Sequence, residues 1–239
     1  MKSRKTETCG YRKTQPEDSA RDRALRRHVN REGWYVMGKV IALGREFGSN
    51  GRKIAQDLAE HLGIKYYDKD LITLAAKKKN LPEEKLEEVD EKRESPWRYS
   101  FDENMAMERQ FHYEPLNDVL FNAQAEIIEE AARNEDCVIV GRCANYILRD
   151  KPDCRSVFIY APMETRIKTI RARTVWDERG AEQLIKKVDK QRKYYYNNYT
   201  DEKWGSMKGY DLCLDSGRLG VETCVSIIVG AFRLLQHKA

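Results

Sequence analysis

The sequence predicts an α/β fold, a parallel sheet of about five strands flanked by helices, and three observations carry that prediction. Short apolar runs that read as buried strands (KVIAL at 39–43, CVIV at 137–140, SVFIY at 156–160) alternate with longer stretches of helical periodicity, as βαβ units do. The first of these runs passes through a glycine-rich turn, GREFGSNG, directly into a helix. The chain has 239 residues, 41% of them hydrophobic, which is enough to furnish one large core.

Taken in order, residues 1–36 are polar, with almost no apolar periodicity, and are expected to be a disordered tail, because they bury too little surface to offset ordering. The first strand begins soon after Met37, so an internal translation start there would leave this tail outside the native protein. Residues 51–62, GRKIAQDLAEHL, place Ile54, Leu58 and Leu62 at four-residue steps, one stripe of a helix that Gly63 ends as a C-cap. IKYYDKDLI supplies a second strand ending near Asp68 and leads into a helix through Ala76. Residues 77–115 carry KKKN, a charged run and a Met- and aromatic-bearing stretch, and read as a mobile insert. Leu116 to Arg133 is helical by the spacing of Leu116, Leu120, Ala123, Ile127 and Ala131. After the strands at 137–140 and 156–160, a long basic helical region runs from Glu164 to about Lys193, with a break expected near Gly180. YDLCLD at 210–215 is the fifth strand and VETCVSIIVGAFRLL the closing helix. No internal repeat is present.

Charge and cysteine usage narrow the function classes. Lys and Arg number 44 against 39 acidic residues, a net +5. That surplus suits an anionic small molecule better than nucleic acid, whose footprint needs a far more basic face. Most of these charges are expected on solvated helix faces. The six cysteines form no C-x-x-C pair or zinc spacing and read as reduced thiols. No apolar run approaches the roughly 20 residues that span a bilayer, and nothing apolar follows the basic N-terminus as in a secretory signal. A cytoplasmic location without membrane contact is the expectation.

In an open parallel sheet, ligands bind outside the carboxyl ends of the strands. Three places qualify: Gly44 to Gly51 after strand one, Asp68 after strand two, and Gly141 with Arg142 after strand three. The strand, turn and helix around VIALGREFGSNGRKI suit a phosphate-binding loop, whose backbone N–H groups cradle phosphate at a helix N-terminus. The strict pattern G-x-x-x-x-G-K-[ST] is absent, since Arg52, Lys53 and Ile54 follow Gly51. A plain turn is the alternative, and the paired cations after it favour phosphate.

At these residues the chain resembles a known family. GREFGSNGRKIAQDLAEHLGIKYYDKDLI, VIVGRCANYIL and VFIYAPMETRIKTI, in that order from about residue 38 onward, are similar to the bacterial cytidylate kinase-like family, relatives of the nucleoside monophosphate kinases. The resemblance implies a P-loop nucleoside triphosphate hydrolase-type domain over 37–239, with a substrate-binding insert at 77–115 and a basic lid at 171–204. It implies ATP and Mg2+ as cofactors and phosphoryl transfer to a nucleotide or other small phosphoacceptor. Gly44, Arg45, Gly48, Ser49, Asn50, Gly51, Arg52 and Lys53 would hold the ATP phosphates. Arg52 would stand where the kinase lysine does, with Lys53 able to share the role. Asp68 would position magnesium or the acceptor, or else cap the following helix. Arg142 would point at the acceptor, or else make a structural ion pair. In cytidylate kinases the residue after this arginine is an aspartate that helps recognise cytosine. Cys143 stands there instead, and no arginine follows Asp68 closely, so cytidine specificity is not implied.

The lid segment holds Arg166, Lys168, Arg171, Arg173, Arg179, Lys186, Lys187, Lys190, Arg192 and Lys193. Within it Asp189 and Arg192 resemble the lid of such kinases, with Arg192 as the phosphate clamp. The adjoining Tyr194, Tyr195, Tyr196 and Tyr199 could stack on a base or pack in the core. Arg52, Lys53, Asp68 and Arg192 are thus the candidate catalytic set. No metal-ligand set or oligomeric state is read from the residues. A nucleotide-binding regulator that lost catalysis is the alternative activity. A nucleic-acid-binding protein, suggested by the basic tail and the tyrosines, is disfavoured by the charge balance.

Overall fold

The computed structural model describes residues 38–80, 82, 84, 90 and 116–234. The expected tail, nearly all of the 77–115 insert and its internal order lie outside the described residues.

Five parallel strands form one sheet: β1 (Val40–Arg45), β2 (Lys65–Tyr67), β3 (Cys137–Val140), β4 (Cys154–Tyr160) and β5 (Leu212–Asp215). Their spatial order is β2-β3-β1-β4-β5. In the centre, Val40 of β1 sits opposite Cys137 of β3 on one side and Cys154 of β4 on the other. The connecting helices are α1 (Gly51–Leu62), α2 (Asp70–Lys79), α3 (Leu116–Asn134), α4 (Ala144–Ile147), α5 (Met163–Arg171), α6 (Glu178–Thr200), α7 (Ser216–Leu219) and α8 (Val221–Leu234).

The period-2 alternation of a strand decides which helix covers which face. Ile41 and Leu43 pack with Ile54, Leu58, Cys224 and Ile228, so α1 and α8 cover that face. Val40 and Ala42 point the other way and pack with Leu71, Ala75, Leu120 and Ile128 of α2 and α3. β1 is buried on both faces, which is why it reads as one continuous apolar run. Each fully buried Ile or Leu here contributes about 2 kcal/mol of apolar burial, so these two layers hold the carboxyl ends of β1 and β3 in fixed relation.

The expected helix ends are met at Gly63, which takes the left-handed conformation at φ 65° with its N–H bonded back to the last turn of α1. The expected break in the basic helical region is shifted. It falls at 172–177, between α5 and α6, and Gly180 lies inside the first turn of α6. The cause is Asp177, whose carboxylate accepts the Gly180 N–H at 2.8 Å and so starts a helix there. A Cβ on residue 180 would lie 2.7 Å from the Trp176 ring, which accounts for glycine at that place without a break.

Candidate functional site

The loop between β1 and α1 is shaped by two residues in the left-handed region, Gly48 at φ 82° and Asn50 at φ 59°. A side chain at 48 would also meet the Arg166 carbonyl at 3.0 Å, so glycine there answers a backbone approach as well as a torsion. Ser49 is buried, and its hydroxyl donates to the Glu46 carbonyl at 2.9 Å. The Ser216 hydroxyl lies 2.6 Å from the Ser49 carbonyl and 3.0 Å from that of Tyr160, tying the loop to the end of β4.

The two halves of the loop differ in what their N–H groups do. Glu46 N–H donates to the Ile159 carbonyl at 3.0 Å, and Phe47 N–H donates to the Asp189 carboxylate at 2.8 Å. The second half becomes the N-terminus of α1, where Asn50 makes no side-chain cap and no acidic residue occupies the first turn. A helix start leaves its leading N–H groups without intrahelical partners and carries a partial positive charge. This end therefore has the chemistry to receive phosphate oxygens.

The carboxylate of Asp68, at the end of β2, gathers three arginines. Arg142 Nη1 lies 2.8 Å from it, Arg52 Nη2 2.5 Å and Arg45 Nη2 3.8 Å. Burial alone would raise the Asp68 carboxyl, but the guanidiniums of Arg45, Arg142 and Arg52 outweigh it and hold the group below the usual aspartate range. The Tyr66 hydroxyl donates to the same carboxylate at 3.2 Å. Burial and that negative charge push the phenol up to about 12, so it stays a donor at neutral pH. The helix after β2 starts at Asp70 with Lys69 as its N-cap, so Asp68 serves the arginines and does not cap it.

Arg142 is held at 3% exposure by two carboxylates. Besides Asp68, Asp90 takes its Nη2 at 2.5 Å and its Nε at 3.3 Å, and Gln124 donates to Asp90 at 3.1 Å. Its backbone is unusual: Gly141, Arg142 and Cys143 have φ 77°, 50° and 57° in succession. Left-handed backbone costs about 1–2 kcal/mol for a residue with a side chain. The strain turns the chain sharply at the end of β3 and folds the Arg142 side chain back beside Asp68. Cys143 is buried, packed with Tyr195 and Tyr196 and bordered by Phe121, Tyr146 and Trp204.

Helices α5 and α6 contact the loop and strand ends on this side of the sheet. The buried Arg166 of α5 pairs with Asp189 of α6 and with Glu46 of the loop, whose Oε2 also accepts the Ala161 N–H at 3.1 Å. Burial raises the Glu46 carboxyl despite that N–H and Arg166. From α6, Arg192 donates to the Arg45 carbonyl at 3.2 Å. Arg173, in the α5–α6 connection, donates to the Asn50 side chain at 2.6 Å. Farther along α6, Tyr199 stacks on Phe121 of α3 at 4.1 Å and donates to Asp118 at 2.7 Å.

The structure thus brings together Arg45, Asp68, Arg142 and Arg52, and sets Arg45, Arg142 and Arg192 around one small cavity of about 20 Å3 with Tyr195, Tyr196 and Trp204. Gly48, Ser49, Asn50 and Gly51 shape the neighbouring loop. Gly44 borders the same cavity, and a Cβ there would meet the Tyr210 hydroxyl at 2.8 Å and the Phe158 ring at 2.9 Å, so its bareness makes room for these aromatic rings. Lys53 is set apart, 57% exposed and paired with Asp57 along the outer face of α1. Tyr194 stays exposed, whereas Tyr195 and Tyr196 are buried. Sequence reasoning missed Asp90, Gln124, Glu46 and Ser216. Their roles rest on contacts between residues 34 to 167 positions apart, which no local pattern carries.

The triphosphate of ATP fits the uncapped N-terminus of α1. Magnesium fits these residues less well, because Asp68 is committed to arginines, and among the described residues no group of three or more His, Cys, Asp or Glu side chains is placed to hold a metal. Also among the described residues, no helix is long and apolar enough to cross a membrane.

The cytidylate kinase-like family model matches residues 40–218. An uncharacterized protein from Eubacterium ventriosum, known from a crystal structure, is 30% identical with a TM-score of 0.61, covering 82% of this chain and 98% of that one. A shikimate kinase from Bacteroides thetaiotaomicron is 11% identical with a TM-score of 0.47 (83% and 99% coverage), and a gluconokinase from Sinorhizobium meliloti is 14% identical with a TM-score of 0.48 (84% and 97%). No curated protein matches the chain.

Proposed function

The chain belongs to the cytidylate kinase-like family, and from that premise we propose that it transfers a phosphoryl group from ATP to a nucleotide or another small phosphoacceptor. The observation that carries this reading is the juxtaposition of an uncapped helix N-terminus with Arg45, Arg52 and Arg142 gathered at Asp68. A transferring phosphoryl spreads charge over its oxygens, so catalysis rests on positioned donors and cations more than on covalent chemistry. The first turn of α1 would hold the triphosphate. Arg192, anchored to the loop at the Arg45 carbonyl, would clamp from the lid. Arg142 and Asp68 face the acceptor, the arginine for an anionic group and the carboxylate for a hydroxyl. ATP, when bound, would supply the transferable group.

ATP with magnesium is expected to raise the melting temperature, since a ligand that binds only the folded state stabilises it by mass action. An ADP-release assay over nucleoside monophosphates and small hydroxylated anions then identifies the acceptor. The absence of any melting shift at millimolar ATP would remove the reading altogether. A nucleotide-binding regulator without turnover is the second reading, favoured by Arg52 being drawn to Asp68 and away from the loop. Binding with no turnover on any acceptor would select it.

A further inference from the structure

In this loop Arg52 follows the last glycine, where a lysine conventionally reaches the β- and γ-phosphates, and Arg52 is drawn to Asp68. We propose that Arg45, entering from the end of β1, is the phosphate-contacting cation of the loop, and that position 51 is glycine because Arg45 occupies the room a side chain there would need. This rests on the phosphoryl-transfer reading above.

The steric part is direct. A Cβ built on Gly51 would lie 2.6 Å from the Arg45 Cβ and 3.2 Å from its Cγ. Gly51 is a helical residue without positive φ, so its backbone does not require glycine, and in a helix glycine is about 1 kcal/mol less favourable than alanine. The neighbour explains the residue. A side chain can leave this helix start, or one can pass beneath it from the strand, but the two cannot share the space.

Lys53 pairs along the helix with Asp57, and Arg52 reaches sideways to Asp68. Arg45 stays beneath the loop at 7% exposure, with its guanidinium 3.8 Å from Asp68 and bordering the same cavity as Arg142 and Arg192. Its own carbonyl is gripped by Arg192 at 3.2 Å, which fixes the backbone from which it extends. Arg45 therefore lies between the phosphate-receiving helix end and the acceptor-facing carboxylate, where a transferring phosphoryl passes. A guanidinium also offers forked donors that a single ammonium lacks.

The test is a relocation of charge. Arg45→Met keeps length and removes charge, Arg45→Lys keeps charge and loses the fork, Gly51→Lys adds a cationic side chain at the helix start against Arg45, and Arg45→Ala/Gly51→Lys exchanges the two. Melting curves report folding, and calorimetry with a non-hydrolysable ATP analogue and magnesium reports binding. Arg45→Met is expected to bind at least tenfold more weakly, as loss of a charge-assisted bond implies, with Arg45→Lys recovering most of it. Gly51→Lys is expected to melt well below the wild type, and the exchanged pair to regain both stability and part of the binding. The proposal is overturned if the wild type binds while Arg45→Met binds within twofold of it, or if Gly51→Lys alone melts with the wild type. A wild type that binds no nucleotide at all would instead remove the phosphoryl-transfer reading, and this proposal with it.

Discussion

Asp68 concentrates the electrostatics of the site in one carboxylate. Taking a charge out of water is expensive, and only well-placed partners repay it. Here Arg142 and Arg45 are themselves buried, so removing the shared carboxylate leaves two buried cations undercompensated. Asp68→Asn is expected to lower unfolding stability by about 3 kcal/mol at neutral pH, measured by urea denaturation. Arg52 adds little to that figure, because its side chain is 51% exposed and screened by solvent. The sign of the pH effect follows from the depressed carboxyl: its contribution is complete above the ordinary value near 3.8 and is lost as pH falls through the lower folded value. The wild type should therefore lose stability below about pH 4 more steeply than Asp68→Asn, and parallel acid limbs would contradict the ion-pair assignment. Asp68 and Arg142 were legible in the sequence because each follows a recognisable strand, β3 the more so for being buried throughout. Asp90 was not, because its partner Arg142 lies 52 residues away and Asp90 itself sits in an undistinguished charged run.

Among the elements, those with strong periodicity or a clear stop were readable, and α1 from Gly51 to Leu62 is the best example. The α5–α6 boundary was misplaced because glycine was taken as the breaker, whereas the decisive residue is the cap at Asp177. The connection it follows, residues 172–176, places Arg173 against Asn50 of the β1–α1 loop. Asp177→Ala is expected to cost about 1 kcal/mol, with Asp177→Ser recovering most of the loss in thermal melts. An unchanged melting temperature would mean that α6 starts for another reason, such as the seating of Ala181 and Ile185 against Ile167 and Ile170. Most cations of α5 and α6 were read as one solvated face, with Arg192 singled out. The structure sorts them by burial: Arg166 is an internal tie between α5, α6 and the β1–α1 loop, and Lys186 is a surface partner of Glu182. That distinction depends on which side of α5 meets the loop, a tertiary fact that charge alone does not encode.

Across the whole molecule, the sheet presents its strand ends to a space that α6 roofs from both sides. Asp189 and Arg192 hold the roof to the β1–α1 loop, while Tyr199 and Tyr195 hold it to Asp118, Phe121 and Gln124 of α3. The cavity beneath is about 20 Å3, room for a water molecule. A second cleft of about 390 Å3, beside the α4–β4 connection, shares only Asn145 and Tyr210 with it and lies away from the phosphate loop. Among the described residues, a phosphoacceptor that enters through this cavity must lift part of the roof to meet Arg142 and Asp68. A protein that is mostly closed binds with its affinity reduced by the open fraction, so weakening one roof contact should tighten apparent binding. Tyr199→Phe removes the hydroxyl given to Asp118 and keeps the ring stacked on Phe121. The lost hydrogen bond amounts to about 1 kcal/mol, so the acceptor KM in the ADP-release assay should fall by up to about fivefold, with a slightly lower melting temperature. A KM that stays level while the melting temperature drops would show that the α6–α3 seam remains shut during turnover, and that the acceptor enters by displacing the α6–loop contacts instead.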